Sequence, residues 1–93
     1  MGKIINKMAT AGTVESNDIL IMISKGEGDI DIELESVVDQ QYGEDIKETI
    51  YNTLVSEGIN DVKVVAKDKG ALDFTIKARV KTCIGRGSDR DEL

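Results

Sequence analysis

Apolar and polar residues alternate with two different periods along the chain, and each change of period marks an element. Residues 19–24 form an apolar run that is typical of a buried strand. A turn with two glycines follows at residues 25–29, and residues 30–35 then alternate strictly between apolar and acidic side chains. That alternation predicts a half-exposed strand, and the two segments together predict a β-hairpin.

The next stretch has the period of an amphipathic helix. Apolar residues recur every four positions at Val38, Tyr42, Ile46, Ile50 and Leu54, and Val55 widens the stripe. Such a stripe predicts a helix that faces a core. Two starts are open: Ser36 with Asp39 as a capping pair, or a break at Gly43 before the acidic residues 44–45. Gly58 is expected to end the helix.

Period two returns twice after this helix. Val62, Val64 and Ala66 predict a third strand, which a turn at residues 67–70 ends. The last alternation places Leu72, Phe74, Ile76, Ala78 and Val80 on one face of a fourth strand. We therefore predict an α+β domain of order ββαββ, with one amphipathic helix on one face of a four-stranded antiparallel sheet. Ile50 and Phe74 are expected in the core.

Charge suggests which strands are neighbours. The outward row of the second strand is acidic, and that of the fourth strand is basic at Lys77, Arg79 and Lys81. Opposite charges on facing positions favour pairing, which would make these two strands adjacent. The same charges also fit two solvated faces that never meet.

The chain has the length of one domain, with 93 residues. We predict a single unit over residues 1–93, with an irregular N-terminal segment at 1–18 and a flexible tail at 85–93. Nothing in the sequence resembles a signal peptide or a membrane span, so the cytoplasm is the expected location.

Composition excludes several classes of function. The chain has no histidine, so neither a Ser-His-Asp triad nor a His-ligated zinc site can be built from it. Its net charge of −6 argues against nucleic-acid binding. The acidic residues 29–35 lack the spacing of an EF-hand loop, so no metal site is predicted. The single cysteine, Cys83, is expected just past the last strand on its outward side, without a neighbour that would activate its thiol.

Ser16 lies in a small, polar segment at residues 9–18. Without a histidine it is not an activated nucleophile of the usual kind. It is either an ordinary loop serine or the target of a modifying enzyme, which would require an exposed loop.

Two motifs resemble those of one family. Residues 11–18, AGTVESND, closely resemble the AGTxES-x-D signature of the citrate lyase acyl carrier proteins, and residues 68–73, DKGALD, resemble a second segment of that family. An Ala-Arg pair follows at residues 78–79, as in the family. Asn17 stands where the family more often has glycine. The resemblance covers about residues 9–82.

The resemblance implies a carrier and not an enzyme. Ser16 would carry a 2'-(5''-phosphoribosyl)-3'-dephospho-coenzyme A group, whose thiol holds acetyl and citryl thioesters while citrate is cleaved to oxaloacetate and acetate. Glu15 and Asp18 would be recognised by the modifying prosthetic-group transferase. The citrate lyase alpha (transferase) and beta (lyase) subunits would be the partners, and the acidic strand face Asp31, Glu33 and Glu35 would dock to them.

Two alternatives stay open. The carrier subunit of malonate decarboxylase resembles this family and uses the same arm. A small acidic protein-binding module with an unmodified Ser16 also fits the composition.

Overall fold

Four strands and two helices form the part of the chain that the computed structural model describes, residues 4–38 and 40–88. The strands are β1 (Ala9–Ala11), β2 (Ile19–Lys25), β3 (Ile30–Ser36) and β4 (Val62–Asp68). The helices are α1 (Gln40–Ser56), between β3 and β4, and α2 (Asp73–Gly87), after β4. The α+β class is confirmed, whereas the predicted order ββαββ is wrong because the last element is a helix.

The sheet is mixed, with strand order β1-β2-β4-β3. Strand β2 is antiparallel to both β1 and β4, but β3 runs parallel to β4. The purely antiparallel sheet that we predicted is therefore wrong at its β3 edge. Strands β3 and β4 can be parallel because α1 connects them, and parallel neighbours need such a crossover.

Strands β2 and β3 do not form the predicted hairpin, because β4 lies between them. Their link crosses the beginning of β4: the Val62 N–H donates to the Asp29 carbonyl over 3.1 Å, and the Gly28 N–H donates to the Asp61 carboxylate over 2.9 Å. A side chain at Gly26 would collide with the Asp61 carboxylate. The glycine turn thus lets the link pass close over β4.

Strand β4 is an interior strand, with β2 on one side and β3 on the other, and every second side chain of it is buried. Strands β2 and β4 place buried side chains beside each other in register, such as Ile21 beside Ala66 and Ile23 beside Val64. Strand β3, with an acidic residue at every second position, takes an edge, where charge discourages pairing with other chains.

The acidic row of β3 faces β4 and not the basic row of the last element. Asp31 lies opposite Lys63, and Glu35 lies opposite Lys67. The expected pairing with Lys77, Arg79 and Lys81 is wrong, since those residues lie on helix α2. Charge complementarity across strands was the correct signal, but its basic partners come from β4.

The structure confirms the middle of the predicted stripe and its end, whereas Val38 lies before α1 begins. Ile46, Ile50 and Leu54 are buried, while Tyr42 and Val55 at the margins of the stripe are exposed. The helix ends in a Schellman motif at Gly58, in which the Gly58 N–H donates to the Val55 carbonyl and the Ile59 N–H to the Leu54 carbonyl.

The structure excludes one of the two starts that the sequence left open for α1. Gly43 lies inside the helix, so it marks no break. The Ser36 hydroxyl accepts the N–H of Val38 over 3.1 Å, just before the helix. Asp39, the other half of the expected capping pair, lies outside the described residues.

Helix α2 replaces the predicted last strand. Its buried residues are Ile76, Val80, Cys83, Ile84 and Gly87, which recur at helical spacing. Leu72, Phe74 and Ala78, which the strand prediction placed inward, are exposed. Ile76 and Val80 are four positions apart, a spacing that fits one face of a strand as well as one face of a helix.

Both helices cover one face of the sheet. Helix α2 packs on β1 and β2, α1 contacts β3, and the two helices contact each other. The core between these layers is almost wholly aliphatic, with Ile19, Ile21, Ile50, Leu54 and Val80 among its fully buried members.

The two ends of the described chain meet. Strand β1 lies within the N-terminal segment that we expected to be irregular, and Ile5 is buried and forms a β-bridge with Ser88. Residues 85–88 of the expected flexible tail are the end of α2 and this bridge. The rest of that tail, residues 89–93, lies outside the described residues.

Core packing predicts a large difference between two apolar truncations. Ile50→Ala removes a side chain that is 0% exposed and should lower the free energy of unfolding by about 2–5 kcal/mol. Phe74→Ala removes one that is 70% exposed and should cost less than about 1 kcal/mol. Urea unfolding at neutral pH measures both; a loss at Phe74 as large as that at Ile50 would show that the face of α2 is assigned wrongly.

Candidate functional site

The loop at residues 12–18 connects β1 to β2 and carries Ser16 at one end of the sheet. Its C-terminal part continues the pairing of β2 with β4. The Asn17 N–H donates to the Lys69 carbonyl over 2.8 Å, and the Lys69 N–H donates to the Asp18 carbonyl over 2.9 Å. The loop is therefore attached by its backbone to the segment that follows β4.

The Asp18 carboxylate holds the loop together. It accepts hydrogen bonds from the Thr13 hydroxyl and from the Ile19 N–H, each over 2.7 Å. Arg79 of α2 donates to both of its oxygens, from Nε over 3.0 Å and from Nη2 over 2.9 Å. This paired geometry is the strongest common form of a carboxylate–guanidinium contact.

These donors change the acidity of Asp18. They lower its pKa from 3.8 to about 2, chiefly through the hydrogen bonds from Arg79. Desolvation opposes the change, while the bonds from Thr13 and Ile19 and the charge of Arg79 add to it. The Asp18 side chain is only 14% exposed, whereas that of Arg79 is 40% exposed, so solvent and salt reach the ion pair from the Arg79 side.

Gly12 allows the loop to leave β1 at a sharp angle. Its φ is +93°, which is unfavourable for residues with a side chain, and a Cβ there would collide with the carbonyl oxygen of Ile19. Asn17 also adopts a left-handed conformation, with φ of 66°. Asn tolerates that region better than most residues, so the loop adopts this conformation without a glycine at residue 17.

Ser16 and Glu15 lie on the outer side of this loop, and both are exposed. The Glu15 N–H donates to the Thr13 hydroxyl and its carbonyl accepts from the Asp18 N–H, so the backbone on either side of Ser16 is fixed. Since the chain has no histidine, no imidazole can take the proton of the Ser16 hydroxyl. The arrangement leaves the serine oxygen exposed and does not activate it.

The second motif, residues 68–73, helps to hold the first motif, residues 11–18, in place. Asp68 at the end of β4 is buried; its carboxylate accepts from the Ala71 N–H over 3.0 Å and from the Ser36 hydroxyl over 2.9 Å. These bonds fix the tight turn through Lys69 and Gly70, whose backbone then meets Asn17. The two segments that carry the resemblance are thus neighbours in the structure.

The three proposed site residues differ in their exposure and in their contacts. Ser16 and Glu15 are exposed, as a modification site requires, whereas the Asp18 carboxylate points toward Arg79 and is engaged there. Sequence patterns missed Arg79 as a site residue because it was assigned to the outward row of a strand. The Ala-Arg pair of the resemblance was the signal that could have found it.

Cys83 is buried and not outward-facing as expected. Its sulfur lies 3.4 Å from the carbonyl oxygens of Ala9 and Ile21. Desolvation raises the pKa of the thiol to about 11. In the part of the chain that the structure covers, no group of three or more Cys, Asp or Glu residues is placed to hold a metal ion.

Comparison with known proteins gives consistent matches over nearly the whole chain. Residues 6–87 match the model of the family described as malonate decarboxylase delta subunit (MdcD). The chain is 49% identical to the citrate lyase acyl carrier protein of Leuconostoc mesenteroides subsp. cremoris, over 91% of this chain and 88% of that protein. It is 48% identical to the protein of the same name from Lactobacillus helveticus, over 95% and 91%. The chain belongs to the citrate lyase acyl carrier protein family.

A solved structure of a Pseudomonas malonate decarboxylase hetero-tetramer with malonate supports the fold of this family member. The superposition gives a TM-score of 0.71 over 91% of this chain and 88% of that chain, at 15% identity. At that identity the likeness concerns the fold alone. Neither helix among residues 4–38 and 40–88 is long and apolar enough to span a membrane.

The Asp18–Arg79 pair predicts a pH dependence of stability. Because folding lowers the pKa of Asp18, its stabilising effect is complete above about pH 4 and is lost as the pH falls toward 2. The stability difference between wild type and Asp18→Asn should therefore shrink over this interval. Urea unfolding from pH 6 to 2 measures it, with Glu15→Gln, an exposed acid of the same loop, as the control. A difference that is constant with pH would contradict the assigned ion pair.

Burial predicts that Cys83 is unreactive in the folded protein. With a pKa near 11 and no exposed surface, the thiol should label with a disulfide reagent at neutral pH only as fast as the chain opens. Labelling should become immediate in denaturing urea. Stoichiometric labelling of the folded protein within seconds would show that the thiol of Cys83 does not lie on the buried face of α2.

Proposed function

We propose that the chain is the acyl carrier subunit of citrate lyase and that Ser16 is the attachment point of its prosthetic group. The observation that carries the proposal is the geometry of the serine loop: the Ser16 side is exposed, while Asp18 and Arg79 hold the opposite side against α2. The relatives named above support the same role.

The residues of the loop fit a phosphodiester-linked group. Ser16 is exposed and offers a hydroxyl oxygen that can form a bond to phosphorus, while the bond from that phosphorus to the leaving group of an activated precursor breaks and the hydroxyl proton passes to a base of the transferase. When attached, phosphoribosyl-dephospho-coenzyme A supplies a terminal thiol that holds the acyl group as a thioester. The chain keeps this attachment point in one place, which gives the tethered thioester a high effective concentration near its partners.

Glu15 and Asp18 have separate parts in this proposal. Glu15 is exposed beside Ser16 and is free to contact a prosthetic-group transferase. Asp18 acts through the loop: its bonds to Thr13 and Arg79 set the shape that the transferase would recognise. The general base for the attachment must come from the transferase, since the chain has no histidine.

The carrier itself is proposed to catalyse neither acyl exchange nor citryl cleavage. Those steps would belong to the alpha and beta subunits, which would receive the thioester from the arm. We propose that this work takes place in the cytoplasm, where the single cysteine suits a reducing environment.

A carrier role in malonate decarboxylase is the second candidate. The description of the family whose model matches residues 6–87 favours it. The identities of 48% and 49% to citrate lyase carriers favour the first. Reconstitution separates them: the modified chain should support oxaloacetate formation from citrate with citrate lyase subunits, and not decarboxylation of malonate with the other complex.

The intact mass of the protein tests the attachment. After incubation with the prosthetic-group transferase and the activated precursor, we expect a gain equal to phosphoribosyl-dephospho-coenzyme A, located on Ser16 by peptide mapping. Ser16→Ala should abolish the gain and citrate cleavage while leaving the fold intact. Ser56→Ala, which removes another exposed serine at the end of α1, is the control and should behave as wild type.

An unchanged mass would contradict the proposal, provided that the same transferase modifies a known carrier. The chain would then be a small acidic binding module whose Ser16 is an ordinary loop residue.

A further inference from the structure

A groove lies between the N-terminal half of α1 and the segment that leads from β4 into α2. It has a volume of about 830 Å³. Its apolar lining residues are Val38, Tyr42, Ile46, Ala71, Leu72, Phe74 and Ile76. Three of these, Tyr42, Leu72 and Phe74, are large and between 61% and 70% exposed. Clustered apolar side chains of this size on a small protein mark an interaction surface.

The rim of the groove is acidic. Asp45 and Glu48 of α1 stand on one side and Asp73 at the start of α2 on the other. Among the described residues that line the groove there is no lysine or arginine. An apolar floor with an anionic rim is complementary to apolar side chains flanked by basic ones.

The groove begins beside the serine loop. Gly70 lines it, and a Cβ on Gly70 would stand 3.6 Å from the side-chain oxygen of Asn17. The adjacent Lys69 carbonyl accepts the Asn17 N–H. A protein seated in the groove would therefore lie next to Ser16, the point from which the arm extends.

From this geometry we infer that the groove is the docking site for a segment of a citrate lyase catalytic subunit that carries large apolar side chains flanked by Lys or Arg. The inference rests on the proposed function. Phe74 and Leu72 supply the contact area, and Asp45, Glu48 and Asp73 select the basic flanks. The charge of the rim opposes the phosphates of the arm, so the occupant is a partner protein and not the prosthetic group.

Two pairs of variants test the surface. Phe74→Ala should weaken binding of the modified carrier to purified alpha or beta subunit by about tenfold or more, as expected for an aromatic anchor. Its control is Val55→Ala, an apolar residue that is 49% exposed elsewhere on α1, which should bind within about twofold of wild type.

The second pair of variants distinguishes an effect of charge at the groove from an effect of the protein's net charge. Asp45→Lys with Glu48→Lys reverses the rim, and Asp31→Lys with Glu33→Lys reverses the acidic face of β3. Each pair moves the net charge from −6 to −2, because each reversal adds two. The rim pair should weaken binding strongly and the β3 pair little. Thermal unfolding of all variants checks that the fold is retained.

Other outcomes overturn the inference. Equal binding by wild type and Phe74→Ala would exclude the groove, and loss of binding only in the β3 pair would move docking to the acidic strand. A defect confined to the modified form, with the unmodified form unaffected, would make the arm the occupant. A dimer of wild type that Phe74→Ala dissociates would make a second copy the occupant. Failure of the proposed function is distinct, since it appears as an unchanged mass in every variant.

Discussion

The pairing of β4 with two neighbours determines where every other element lies. Because β4 lies between β2 and β3, the short link between those strands must cross its beginning, and α1 must carry the chain back over the sheet. The end of β4 then delivers the segment whose backbone holds the serine loop, and that segment leads directly into α2. The core and the site are consequences of the same central strand.

Local periodicity was sufficient to predict the elements that bury one face at a regular spacing along the chain. The β2, β3 and β4 strands and the stripe Ile46, Ile50 and Leu54 of α1 could be predicted, as could its end at Gly58. The last helix could not, because Ile76 and Val80 are four positions apart, a spacing that fits both periods, and the decision depends on Cys83 and Ile84. Strand β1 has three residues, too few for any period to be visible.

The exposed residues of the candidate site could be predicted from the sequence, but the contacts that hold their loop could not. Ser16 and Glu15 lie within one short motif, so a local reading could find them. The bond between Asp18 and Arg79 joins residues 61 positions apart, and no periodicity connects them. The order of the strands was unpredictable for the same reason, since β2 and β4 are both interior strands and the pairing between them joins residues that are far apart in the chain.

The position of Cys83 has a chemical consequence for a protein that works with thioesters. A thiolate attacks a thioester readily, and an acyl group on a flexible arm would encounter any accessible cysteine of its own carrier. Placing the chain's single thiol on the buried face of α2, between the carbonyls of Ala9 and Ile21, keeps it protonated and out of reach. Under the proposed function, the acyl group then has no dead-end acceptor on the carrier, and its transfer is left to the partner subunits.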